Sequence, residues 1–197
     1  MKYVLGLDVS SKTIGVSIFS IEGKLIELRY VTPKIKTKNK EDDILFEKCD
    51  VFKEFIQIQL EELPDIWNNI EKVFIEEPLL RSNNIFTIAK LLRFNGMISK
   101  CIWDLLNIKP MYISSYDARK YAFPVLMQKN KLGKSVLFGG YPKDCDKKII
   151  IWNLVSEKEP QIIWPLNKHS IPIKECYDMS DAYCVVLGAM RKLGLWN

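Results

Sequence analysis

Three β-rich stretches at the start of the chain are joined by links too short for a crossover, and no other feature restricts the fold as much. Residues 2–9, Lys-Tyr-Val-Leu-Gly-Leu-Asp-Val, are dense in strand formers. After Ser10-Ser11-Lys12-Thr13 a second strand runs from Ile14 to Phe19, and Glu22-Gly23-Lys24 turns into a third from Leu25 to Val31. Connections this short make the three antiparallel neighbours, because parallel strands need a connection of about a dozen residues or more.

Pro33 ends the third strand, and Lys34-Ile35-Lys36-Thr37-Lys38-Asn39-Lys40 follows as a basic loop. From Glu41 to Glu62 the apolar positions Ile44, Leu45, Val51, Phe52, Phe55, Ile56 and Leu60 recur at three- and four-residue spacing, which predicts an amphipathic helix. Val73-Phe74-Ile75 is a short apolar strand running into Glu76-Glu77-Pro78. A helix from about Ile85 to Leu106 follows, with Phe86, Leu91, Leu92, Phe94, Ile98, Ile102 and Trp103 expected mostly in the core. Lys109–Ile113 reads as a strand, and a helix opens at Asp117 and runs to about Tyr121, limited by Pro124. Residues 127–146 read as an exposed, irregular basic excursion. A helix from Lys147 to about Val155, a loop over 157–175 and a last helix from Tyr177 to Leu193 complete the chain. The expected architecture is α/β over a single domain, 1–197. Its mixed five-stranded sheet has three antiparallel strands, then βαβ crossovers, and is flanked by helices.

Composition narrows the function classes. With 197 residues, 48% hydrophobic and 27% charged, the chain is globular rather than disordered. No apolar run approaches the ~18–20 residues of a membrane span. Asp8 sits inside what would be a leader's apolar stretch, so the expected location is the cytoplasm, or the host cytoplasm for a phage protein. Five cysteines without a C-x-x-C pair form neither a disulfide framework nor a zinc spacing. His169 is the only histidine, so any Ser-His-Asp triad would rest on it alone; it reads as a surface loop residue. The net charge of +5 permits a polyanionic partner without demanding one.

Carboxylates stand where packing alone would not place them. Asp8 ends an apolar strand, Glu76 and Glu77 end another, and Asp178 and Asp181 open the last helix. Charges on buried strands are costly unless paired or bound to a cation. Residues three apart on a helix share a face, so Asp178 and Asp181 can converge, although Asp178 alone could simply favour the positive end of the helix dipole. If the two strands are adjacent and the helix crosses their ends, the acids meet, and their repulsion is relieved by Mg²⁺ or Mn²⁺. Two ions about 4 Å apart would clamp the attacking water and leaving oxygen of a phosphodiester. Only one of Glu76 and Glu77 can face Asp8, and strand parity alone does not choose.

These residues carry a resemblance. G-L-D-V-S-S-K-T-I-G-V-S-I-F, Gly6 to Phe19, is similar to the opening hairpin of RuvC-type, RNase H-like nucleases, with Asp8, Ser11 and Gly15 in the motif positions. V-F-I-E-E-P, Val73 to Pro78, resembles the strand that ends in the family's glutamate, with Glu76 in register. Y-D-M-S-D-A-Y, Tyr177 to Tyr183, resembles its terminal D-x-x-D-A helix. The resemblance implies a homodimeric Holliday junction resolvase that nicks two strands of a four-way junction, with water activated by two Mg²⁺ ions. Asp8, Glu76, Asp178 and Asp181 would be the ligands. It also implies a basic residue near the scissile phosphate, for which Lys147 and Lys148 are the candidates. Val9-Ser10 replace the family's Pro-Gly, no aromatic stands at Leu79 or Leu80, and 127–146 is long, which together suggest a phage or otherwise divergent branch.

Lys34, Lys36, Lys38 and Lys40 on one loop, Lys129, Lys131 and Lys134 on another, and Arg81 and Arg93 flanking the helix after the glutamate are the candidate DNA contacts. No second glycine-rich loop suggests a nucleotide cofactor. The same acids would also serve a nuclease acting on RNA–DNA hybrid or structured RNA, and a non-catalytic junction-binding module is the third reading.

Overall fold

The computed structural model, which describes residues 1–35, 41–78 and 84–197, begins with the meander that the short links require. Strands β1 (Tyr3–Val9), β2 (Ile14–Ser20) and β3 (Leu25–Val31) pair antiparallel in succession. β4 (Ile70–Glu76) lies parallel beside β1, and β5 (Met111–Ile113) parallel beside β4, giving the order β3-β2-β1-β4-β5. Helices make the crossovers that parallel pairing needs: α1 (Glu41–Glu62) and the short α2 (Pro64–Trp67) before β4, and α3 (Ile85–Leu106) before β5. Asn84 caps α3 by accepting from the backbone N–H of Phe86 at 2.9 Å, and Asn107 ends it in the left-handed region.

Alternation along the strands assigns the two faces of the sheet. Leu5, Leu7 and Val9, with Val16, Ile18, Val73 and Ile75, pack against Leu45, Phe52 and Ile56 of α1 and Phe94, Ile98 and Ile102 of α3. Val4, Phe19 and Phe74 point the other way, into a core built with α4 (Ser115–Ala122), α5 (Lys147–Lys158) and α6 (Glu175–Lys192). α6 is buried almost without interruption from Met179 to Met190, as expected of a helix enclosed by sheet, α4 and α5.

α6 lies against the sheet at backbone distance. A Cβ on Gly15 would collide with the carbonyl oxygen of Asp178, and one on Gly6 with Val186 and the carbonyl oxygen of Ala182. Ser17 donates to that same carbonyl at 2.7 Å.

Two expectations change. The stretch 127–146 is not wholly irregular: β6 (Met127–Lys129) and β7 (Ser135–Leu137) form a hairpin whose turn holds Gly133 at φ +74°. Strands of three residues are too short to show a period in the sequence. On α3, Phe94, Ile98 and Ile102 are buried as expected, whereas Phe86 (81% exposed), Leu92 and Trp103 (48%) are not. The helix offers the sheet a single face, and these three lie off it. Among the described residues no helix is long and apolar enough to cross a membrane.

Candidate active site

Face assignment on the strands decides which acids meet. Asp8 shares its parity with Val4 and Gly6, so it points towards α6. On β4 Glu76 shares parity with Phe74 and points the same way. Glu77 is exposed just beyond the strand, its backbone N–H donating to Ile113 O at 2.8 Å. The choice left open by the sequence therefore falls on Glu76, whose backbone carbonyl accepts from the side chain of Asn95 on α3 at 3.4 Å.

Asp178 and Asp181, in the first turns of α6, complete the group. The β1–β2 turn is held by Ser10: its Oγ accepts from Thr13 N at 3.0 Å and donates to Thr13 O at 2.8 Å. The turn seats the buried Thr13, whose side chain hydrogen-bonds the Asp178 carboxylate.

The acids act on one another electrostatically. Burial, then the charges of Glu76, Asp181 and Asp178, hold the Asp8 carboxyl well above the usual carboxylate range. Burial and Asp181 push Glu76 up to about 8, against the opposing pull of Arg119 and Lys148. Burial raises Asp178 to about 6, with Lys148 and the Thr13 hydrogen bond acting against it.

Two cations answer this charge, and one was missed in the sequence. Arg119 of α4 donates from Nε and Nη2 to the same oxygen, Asp181 Oδ1, at 3.2 and 2.8 Å. Asp181 is only 6% exposed. An arginine midway along a short polar helix reads as a solvated side chain; only the face that Ala118 and Ala122 bury could have flagged it. Of the two lysines proposed at the start of α5, Lys148 reaches the site, with Nζ 3.9 Å from Asp178 Oδ1. Lys147 turns away and lies over the Phe138 ring at 5.6 Å.

The other candidates stand elsewhere. Lys34 is exposed after β3, and Lys129, Lys131 and Lys134 are exposed on the β6–β7 hairpin. Lys36, Lys38, Lys40, Leu79, Leu80 and Arg81 lie outside the described residues. His169 is an exposed loop residue whose N–H donates to Asn167 Oδ1 at 2.8 Å.

The donor set suits a hard divalent cation, though it is not drawn together as a finished coordination shell. Among the described residues no three Asp, Glu, His or Cys side chains are grouped as metal ligands. Arg119 engages Asp181 instead. Yet Glu76 Oε2 is buried without any hydrogen-bond partner, and the acids raise one another's proton affinity. A buried, unpaired carboxylate oxygen among other carboxylates is what a cation would satisfy.

The strand order, the antiparallel meander followed by parallel crossovers, and the long helix bearing two acids define an α/β fold of the RuvC-like, RNase H-like kind. RuvC from T. thermophilus in complex with a Holliday junction substrate superposes with a TM-score of 0.58 at 11% identity, covering 99% of this chain and 98% of that one. A second T. thermophilus RuvC structure gives 0.55 at 14%, covering 98% and 97%. No protein-family model matches the chain, and no curated protein does.

A pH dependence follows from the site. Glu76 and Asp178 bind protons more tightly folded than unfolded, so their contribution to stability is complete below the ordinary carboxylate value and is lost as pH rises through the folded values. In a chelator, the melting temperature should fall as pH climbs from 4.5 towards about 8. Added Mg²⁺ should raise it more at pH 8 than at pH 6, because protons compete with the cation. A scanning-fluorimetry pH series checks both; a melting point that rises across the window without metal would contradict the acid cluster.

Proposed function

We propose that this chain is a divalent-metal-dependent endonuclease of the cytoplasm that resolves four-way DNA junctions by paired nicks. The observation that carries the reading is the meeting of Asp8, Glu76, Asp178 and Asp181 at the C-terminal ends of the central strands β1 and β4, with Glu76 Oε2 buried and unpartnered. The full-length likeness to a RuvC bound to a Holliday junction supports DNA of that shape as substrate.

Mg²⁺ or Mn²⁺ held by these acids would supply Lewis-acid stabilisation of the charge that develops on a phosphodiester under attack. The chain's own residues supply the rest. Glu76 and Asp8 are fixed by adjacent parallel strands, so their spacing does not depend on loops. Arg119 holds Asp181 in one orientation. Lys148, half exposed beside Asp178, offers its ammonium to a non-bridging phosphate oxygen. Lys34, Lys129, Lys131 and Lys134 are placed on the surface to contact more distant phosphates, with Lys36, Lys38 and Arg81 as further candidates, and binding should weaken steeply with salt. Paired nicking needs two centres. The exposed Phe86, Leu92 and Trp103 of α3 and Phe46 of α1 provide apolar surface for a second copy.

The test is cleavage of a labelled immobile four-way junction in Mg²⁺, beside linear duplex and RNA–DNA hybrid, with Asp181→Asn in parallel. Symmetric nicks in the junction alone, absent from the variant, establish the reading. Cutting of the hybrid instead moves the function to RNA, and tight binding without cutting makes the chain a binding module. Light scattering should give about twice the 23.0 kDa chain mass.

A further inference from the structure

We propose that Arg119 is a built-in cation of this site, so that the chain holds one divalent ion where the sequence leads one to expect two. The inference rests on the metal-nuclease reading and specifies how its centre is composed.

Charge balance comes first. Asp8, Glu76, Asp178 and Asp181 bring four negative charges when ionised, and Arg119 and Lys148 answer two of them. The remaining two are neutralised by one divalent ion. A second would leave a buried site with an excess of positive charge, which desolvation penalises. Geometry points the same way. Both Arg119 donors end on Asp181 Oδ1, so that oxygen is already committed to two hydrogen bonds. An ion drawn to Asp181 would have to displace a buried pair or sit beside a guanidinium that cannot lose its charge. On the other side of the site no such pairing exists: Glu76 Oε2 is buried and unpartnered. The single ion therefore belongs on the Glu76 side of the site, where Asp8 stands on the neighbouring strand.

The helix that carries Arg119 is fixed in place. α4 is locked to α6 by Lys192 Nζ to Asp117 Oδ2 at 2.7 Å and by Arg191 Nη1 to Ala122 O at 2.8 Å. Between them a Cβ on Gly188 would collide with the carbonyl oxygen of Ala118, so the two helices touch main chain to main chain. Arg119 is a positioning residue: it acts through Asp181 and through its fixed charge.

The test counts ions without DNA and without turnover. Free Mn²⁺ is followed by electron paramagnetic resonance while the full-length chain is titrated at pH 8. The wild type should bind one Mn²⁺ per chain. Arg119→Gln, which removes the charge but keeps an amide donor, should acquire a second ion or bind it at least tenfold more tightly. Arg119→Lys should stay at one. Two ions in the wild type, or no gain in Arg119→Gln shown by circular dichroism to be folded, overturns the proposal. Should that variant not fold, the wild-type count and the Arg119→Lys count decide. A wild type that binds no Mn²⁺ brings down the metal-nuclease reading itself, an outcome distinct from binding two.

Discussion

Asp8→Asn should abolish junction cleavage and at the same time make the chain harder to melt. Asp8 is the residue on which every other acid of the site acts: Glu76, Asp181 and Asp178 all raise its proton affinity on top of burial. Removing that charge takes away a proposed metal ligand, and its loss should lower cleavage by about 10²–10³-fold or more, the scale of removing a preorganised charged contact from a reacting centre. The folded state gains from the same change. The amide keeps the shape of the carboxylate and ends the repulsion. About 1 kcal/mol relieved would raise the melting temperature by about 2–4 °C for a chain of this size. The two readouts are opposed, as expected where function requires like charges to be packed together. Normal cutting by the variant would remove Asp8 from the chemistry. A lower melting point in chelator would show that the acids do not repel.

Arg119→Ala should be the most destabilising single change near the site. It strands Asp181, 6% exposed, with no partner for a buried charge. Breaking a buried ion pair from one side typically costs about 3–5 kcal/mol. At about 2–4 °C per kcal/mol, that is a fall of roughly 6–20 °C in melting temperature. Asp181→Asn placed in the same chain should return much of the loss, because the stranded charge is gone. The coupling between the two sites, read from a double-mutant cycle by urea unfolding, should exceed about 1 kcal/mol. A coupling near zero would mean that the two side chains do not depend on each other in solution.

Much of this arrangement could be read from residue order alone, and the exceptions have physical causes. The meander was legible because its links were too short to allow anything else. Glu76 against Glu77 was not legible from parity: Val73-Phe74-Ile75 is apolar on both faces, so the strand shows no inside and outside until α6 is in place. Lys147 and Lys148 are one residue apart on a helix, about 100° of rotation, which only the docked position of α5 resolves. Arg119 escaped notice because a buried arginine and a solvated one look the same in a sequence; its partner is 62 residues away. The apolar residues of α3 were expected mostly in the core, and which of them would leave it was not legible, because period alone does not tell a helix how many neighbours it will have.

Gly15 does no chemistry, yet it is paired directly opposite Asp8 and lies under the main chain of Asp178. It serves as a gauge block. The gap between β2, the strand paired with the one that carries Asp8, and the helix carrying two further acids is set by main chain resting on main chain, with only hydrogen atoms between. Swaying side chains have no part in setting it. A methyl group there would lift the first turns of α6 and pull the site open without altering a single charged residue. A saturation screen scored on cleavage alone would therefore rank this inert position beside the acids, and only a measure of folding and ion affinity would tell the gauge from the tool.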